Sequence, residues 1–130
     1  YNERTSDLGM SGSESSSISG LSASIALTES RIIRVTLHVR YTSGTTGTNT
    51  EILTRLKRGS TTVMMDKTDA SVSGETLAST CHIARVEELS AGSYTWTTTT
   101  QRWDGPTGTL LRAGSSRPSF IVVEDLGPPL

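Results

Sequence analysis

The sequence contains very little cysteine, few aromatic residues and no long apolar segment. Its single cysteine, Cys81, excludes a disulfide within the chain and any metal centre built from several thiolates. No apolar run approaches the roughly 20 residues that a membrane-spanning helix needs. The 12 lysines and arginines nearly balance the 13 aspartates and glutamates, so neither nucleic-acid binding nor membrane insertion is expected.

Motifs that mark the common enzyme classes are missing as well, among them phosphate-binding loops, dinucleotide fingerprints, nucleophile elbows and zinc-binding helices. Of the two histidines, His38 and His82, the second follows Cys81, and adjacent strand residues point to opposite faces. The acidic pairs at 87–88 and 124–125 are separated in the same way, so neither forms a two-carboxylate site alone. We therefore predict no catalytic residue, no metal and no cofactor.

Serine and threonine are abundant and together supply roughly a third of the residues, far above ordinary usage. Threonine is β-branched and suits a pleated, half-wetted surface, and only 33% of the chain is hydrophobic, so we expect strands around a thin core. Apolar residues alternate with other residues over 31–41, which predicts a strand with one face on the core. The residues predicted to face the core are Ile33, Val35, Leu37, Val39 and Tyr41.

Further short strands are predicted between segments rich in glycine and serine. They cover 22–28, 50–56, 61–66, 93–103, 107–113 and 120–126, and the mixed segment 76–89 fits a strand or a short helix. The segment 8–21 is predicted to be a polar loop or connector. Seven or eight strands with turns about every ten residues indicate one all-β domain over 1–130. Its predicted architecture is an antiparallel β-sandwich or a jelly roll.

Three segments, taken in order, resemble a known family over nearly the whole chain. They are Arg-Ile-Ile-Arg-Val-Thr at 31–36, Ala-Gly-Ser-Tyr-Thr at 91–95, and the ending Phe-Ile-Val-Val-Glu-Asp-Leu-Gly-Pro at 120–128. Together they resemble the C-terminal β-domain of small minor tail and fibre proteins from tailed bacteriophages of actinobacteria. The segment 86–88, Trp96 and Trp103 stand at positions that this family fills variably, which leaves the ligand open.

The resemblance implies a jelly roll of the tumour-necrosis-factor or complement type that assembles as a homotrimer, with Tyr1 in its first strand. It implies the C-terminal part of a longer structural protein on the virion surface, on a tail fibre that contacts a host glycan or protein. Two alternatives remain open, because fold alone does not decide function. One is a capsid decoration trimer that binds other virion proteins, and the other is a secreted carbohydrate-binding module.

The strand pattern also predicts a contact surface for the trimer. Ile32 and parts of 76–89 are the candidates, since a thin core leaves apolar strand faces that a symmetric partner would cover. Cys81 is expected to be a small buried hydrophobe.

Ligand contact is expected where the long loops gather. In an antiparallel sandwich alternate loops lie at the same end. The long connections 8–21, 42–48, 67–75 and 104–106 are predicted at one end, and the short connections 29–30, 59–60, 90–92 and 114–116, with Tyr1, at the other.

Long loops on a rigid scaffold usually carry recognition, so the long-loop end should be distal. Trp103 and Asp104, with Lys67 and Asp69 nearby, are the candidate ligand contacts, and Trp103 is suited to stacking on a sugar ring. A tryptophan at such a turn more often covers the core, which is the competing expectation.

Overall fold

The computed structural model describes residues 1–42, 50–70, 79–104, 110–112 and 118–130, and these form ten β-strands and no helix. The strands are β1 (Asn2–Arg4), β2 (Leu8–Gly9), β3 (Ser22–Leu27), β4 (Arg31–Thr42), β5 (Thr50–Arg58), β6 (Thr61–Ala70), β7 (Ser79–Leu89), β8 (Gly92–Asp104), β9 (Leu110–Arg112) and β10 (Ser119–Gly127). All pairs are antiparallel. The predicted all-β antiparallel sandwich is confirmed, and the mixed segment contributes a strand.

The two sheets are each four strands wide. Sheet A is centred on β4, which pairs with β7 along one edge and with β10 and then β9 along the other. The short strands β1 and β2 pair with β10 and β9 and form the far edge of this sheet. Sheet B has the order β3-β8-β5-β6.

The core lies between the sheets and follows the predicted alternation of β4. Its five inward residues, from Ile33 to Tyr41, are fully buried. Sheet B contributes Ile52 and Leu56 from β5 and Trp96 from β8, all three with no exposed surface. The Tyr41 hydroxyl is hydrogen-bonded to the Thr54 hydroxyl at 2.7 Å, so a buried polar contact joins the two sheets.

Cys81 is fully buried on the inner side of β7, as predicted. Its thiol donates a hydrogen bond to a carboxylate oxygen of Asp66 at 3.4 Å. Burial raises the pKa of this thiol to about 11, so the reactive thiolate is a minor species at neutral pH.

The polar segment 8–21 is more ordered than predicted. Leu8 and Gly9 form strand β2, and Ile18 and Leu21 belong to the core. Between them the chain runs beside β8, where the backbone amides of Ser15 and Ile18 donate to carbonyls of β8 at 2.9 Å. The segment therefore continues the edge of sheet B beyond β3, and main-chain hydrogen bonds, rather than an apolar pattern, hold most of it there.

The strand ends follow the predicted grouping of loops. Thr50 pairs with Ala70, and Glu51 pairs with Asp104, so these ends lie together in sheet B. Tyr41 pairs with Ser79 in sheet A and contacts β5 through Thr54, which brings the same end of sheet A beside them. The connecting residues 43–49, 71–78 and 105–109 lie outside the described residues.

Three details of the predicted grouping are wrong. β6 continues to Ala70, so Lys67 and Asp69 lie on a strand and not in a loop. Strands β9 and β10 both pair with the same edge of β4 and run in the same direction. The chain direction is therefore the same in both strands, and they are not joined by a turn at the short-loop end. The predicted turn 114–116 itself lies outside the described residues. Asn2 pairs with Ile121 beside the middle of β4, so Tyr1 is not at the short-loop end.

Candidate functional site

The four predicted ligand contacts lie at one corner of sheet B. Asp104 of β8, Glu51 of β5 and Asp69 of β6 are direct cross-strand partners at the long-loop end. Directly opposed residues of an antiparallel sheet project from the same face, so the three carboxylates form one row. Lys67 lies two residues before Asp69 on the same face of β6. We call Glu51, Lys67, Asp69, Trp103 and Asp104 the Trp103 corner.

Lys67 organises the carboxylates of this corner. Its ammonium group is 2.6 Å from a carboxylate oxygen of Glu51. The hydrogen bond to Glu51, and the negative charges of Glu51, Asp69 and Asp104, raise the pKa of Lys67. Both partners are partly exposed, so this ion pair contributes little to stability, and its main effect is to orient the two side chains.

Trp103 lies on the outer face of β8, at a β-bulge. Strand alternation places it there, because Trp96 and Thr98 of the same strand point into the core. Glu51 pairs with Asp104, whereas the next residue, Ile52, pairs with Arg102, so Trp103 is the extra residue between them. Its side chain is 60% exposed. The competing expectation that Trp103 covers the core is therefore wrong, and Trp96 is the tryptophan that fills it.

The chemistry of the Trp103 corner suits a polar ligand with a flat apolar face. An exposed indole ring provides apolar surface together with one N–H donor. The adjacent carboxylates accept hydrogen bonds from hydroxyl groups. Glu51 was not among the predicted contacts, because only its strand register brings it between Asp69 and Asp104.

The outer face of sheet A carries the predicted trimer contact. Ile32 is half-buried on this face, and Val86 of β7 is 55% exposed there. Between them lies Arg34, which donates two hydrogen bonds, of 2.9 and 3.0 Å, to the carboxylate of Glu124 on β10. These hydrogen bonds lower the pKa of Glu124 and raise that of Arg34. The face therefore combines apolar residues with an internally paired charge.

A row of rings crosses the same face and was missed in the sequence. Phe120, His38 and His82 are cross-strand partners on β10, β4 and β7. The His38 ring stacks on Phe120, with centroids 5.1 Å apart, and Tyr1 stacks on the other side of Phe120 at 5.9 Å. Partial burial, and then the neighbouring His82 and Arg40, lower the pKa of His38.

Clustered metal ligands are absent from the part of the chain that the structure describes. It holds no group of three or more histidine, cysteine, aspartate and glutamate residues arranged to bind a metal ion. Among the same residues, no helix has the length and apolar character required to cross a membrane.

Comparison with known proteins adds no assignment. No family model matches the chain, and no curated protein matches it.

Proposed function

We propose that the domain is a homotrimeric jelly-roll knob of a tailed-phage minor tail or fibre protein, which attaches the virion surface to its host. The order of the strands is the observation that carries this proposal. Without the short strands β2 and β9, sheet A has the order β1-β10-β4-β7 and sheet B has the order β3-β8-β5-β6. When these eight strands are renumbered along the chain, the two orders become 1-8-3-6 and 2-7-4-5. These orders support a double-sheet jelly roll, an architecture common in viral capsid and lectin domains.

The positions of the family-like segments agree with this proposal. The segment 31–36 lies in β4, the segment 91–95 leads into β8, and the segment 120–128 covers most of β10. These three strands are interior strands of the two sheets. The resemblance therefore involves the framework of the domain, where packing restricts the sequence, and not only its exposed loops.

The outer face of sheet A supports self-association. Val86 and Leu126 are 55% and 48% exposed, and Ile32 and Val122 are half-buried beside them. Apolar residues grouped on one sheet face are the usual signature of a contact with a partner. A closed symmetric oligomer would use the same face in every copy.

A charge on this face tests the trimer. We expect the domain to have three times its chain mass of 13.9 kDa in light scattering, and Val86→Asp to reduce the mass to that of one chain. The substitution places a carboxylate in the contact, where it would be buried without a partner. Met65→Asp on sheet B is the matched control, because Met65 is 54% exposed and Val86 is 55% exposed. A wild-type monomer at micromolar concentration would refute the proposed assembly.

Trp103 tests host attachment. We expect Trp103→Ala to weaken binding of the domain to host cells by at least about thirtyfold, the effect of removing a central aromatic contact worth about 2 kcal/mol. The exposed side chain is not needed for folding, so the melting temperature should stay the same. Met65→Ala should leave cell binding unchanged.

The same measurements separate the alternatives. A trimer that binds purified capsids and ignores host cells would indicate a decoration protein. The exposed indole of Trp103 also favours a secreted carbohydrate-binding module, which would be a monomer that loses sugar binding in Trp103→Ala. A trimer whose cell binding is unaffected by Trp103→Ala would remove the Trp103 corner from the proposal.

A further inference from the structure

The two histidines of the chain lie side by side on the outer face of sheet A, and the proposed function does not use them. His38 of β4 is the direct cross-strand partner of His82 of β7. Their ring centroids are 6.0 Å apart, and the ring planes make an angle of 67°. Since the sequence has only these 2 histidines, the register of two strands brings together every imidazole that the chain contains.

The surroundings hold one ring in place and leave the other able to adjust. His38 is stacked on Phe120, with ring planes only 13° apart, and it lies in the middle of sheet A. His82 is exposed on β7, the edge strand of this sheet. A ligand that approaches the pair therefore meets one oriented imidazole and one that can rotate towards it.

We propose that His38 and His82 together bind a late first-row divalent cation, with Zn²⁺ and Cu²⁺ the best suited, while water completes the coordination. Imidazole nitrogen is a preferred ligand of these cations. Two imidazoles on one zinc ion, with Zn–N bonds of about 2.0–2.1 Å, hold their ring centres roughly 5–6 Å apart. The separation of 6.0 Å in this protein needs little change to meet that requirement.

The charges around the two histidines do not attract cations, so a metal ion would be held by its bonds to the imidazole nitrogens. The nearest residues on the same face of the two strands are Thr36, Arg40, Thr80 and Ala84. Arg40 is the charged member of this group, and it repels any cation. Glu3 lies beyond Phe120, and its carboxylate accepts a hydrogen bond from the Tyr1 hydroxyl. The pair should therefore select nitrogen-seeking metals over Ca²⁺ and Mg²⁺, which prefer oxygen ligands.

Calorimetry with Zn²⁺ tests the site. The protein must carry no polyhistidine tag, because such a tag would bind the same ions. We expect one Zn²⁺ per chain, and His82→Gln should weaken binding by at least about tenfold, the loss that even a supporting hydrogen bond at a metal site can cause. With Cu²⁺, electron paramagnetic resonance should show coupling to two imidazole nitrogens in the wild type. Coupling to one should remain in His82→Gln.

Two controls keep the result interpretable. His82 is exposed, so His82→Gln should keep the wild-type melting temperature in the absence of metal. Asp69→Asn removes a carboxylate from the Trp103 corner on the other sheet and should leave Zn²⁺ binding unchanged. Loss of binding in Asp69→Asn but not in His82→Gln would assign the ion to that corner and overturn the proposal, as would a wild-type protein that binds no Zn²⁺. Both ligands come from one chain, but they lie on the face proposed for the trimer contact. Zn²⁺ binding is therefore measured on Val86→Asp as well, where that face is free, and it should be retained there.

Discussion

Trp96→Ala is expected to destabilise the domain by about 3–5 kcal/mol, the usual cost of truncating a fully buried tryptophan. Trp96 has the largest fully buried side chain among the described residues and lies in the core between the sheets. Native proteins have a free energy of unfolding of about 5–15 kcal/mol, so the loss is a large share of it. Urea denaturation, followed by circular dichroism, measures the change.

The second tryptophan provides a matched control. Trp103 is 60% exposed, so Trp103→Ala should change the free energy of unfolding by less than about 0.5 kcal/mol. Trp96→Phe should cost less than Trp96→Ala, because phenylalanine fills part of the space. The indole N–H that it removes has no hydrogen-bond partner among the described residues. Equal effects of Trp96→Ala and Trp103→Ala would contradict the assignment of Trp96 as the central core residue.

The fold class could be predicted from the sequence because burial leaves a local pattern. In β4, from Ile33 to Tyr41, the residue type at each position indicates whether the side chain faces the core or water, because successive side chains alternate between the two. The burial of Cys81 and the grouping of strand ends could be predicted from the same rule. No partner strand needs to be known for any of these statements.

Contacts that depend on strand register could not be predicted. His38 and His82 are 44 positions apart, and they meet only because β4 and β7 pair at one particular register. Glu51 joins Asp69 and Asp104 for the same reason, and a one-residue slip would turn its side chain to the other face. The bulge at Trp103, which turns Asp104 to the same face as Glu51, is also a property of pairing and not of the residues around it.

Strand directions and irregular segments account for the remaining differences. β9 and β10 each have the pattern of a strand, which predicts a reversal between them, but β4 pairs with both in the same direction. The segment 8–21 has few apolar residues, so its backbone hydrogen bonds to β8 leave no sequence pattern.

The point at which this segment crosses β1 depends on Gly20. Its φ is +83°, in the left-handed region that favours glycine, and a Cβ at this position would lie 2.5 Å from the carbonyl oxygen of Glu3. The same Cβ would lie 3.1 Å from the Cα of Arg4. Both neighbours are backbone atoms of a paired strand, so rotation of a side chain cannot relieve the contact. Nearby, the Asn2 side chain donates to the carbonyl of Ser22 at 3.0 Å, which ties β1 to the start of β3.

Gly20→Ala is therefore expected to cost about 1–2 kcal/mol through the left-handed backbone and a further 1–3 kcal/mol, roughly, through the displacement of β1. Gly59→Ala is the matched control, because Gly59 has a φ of +60° and a Cβ added there would meet no atom within 4 Å. That variant should show only the backbone cost. Urea midpoints of the two variants measure the difference, and hydrogen exchange at the amides of β1 should rise in Gly20→Ala alone. Equal midpoints would mean that β1 moves aside freely and that the crossing contributes nothing to the stability of the sandwich.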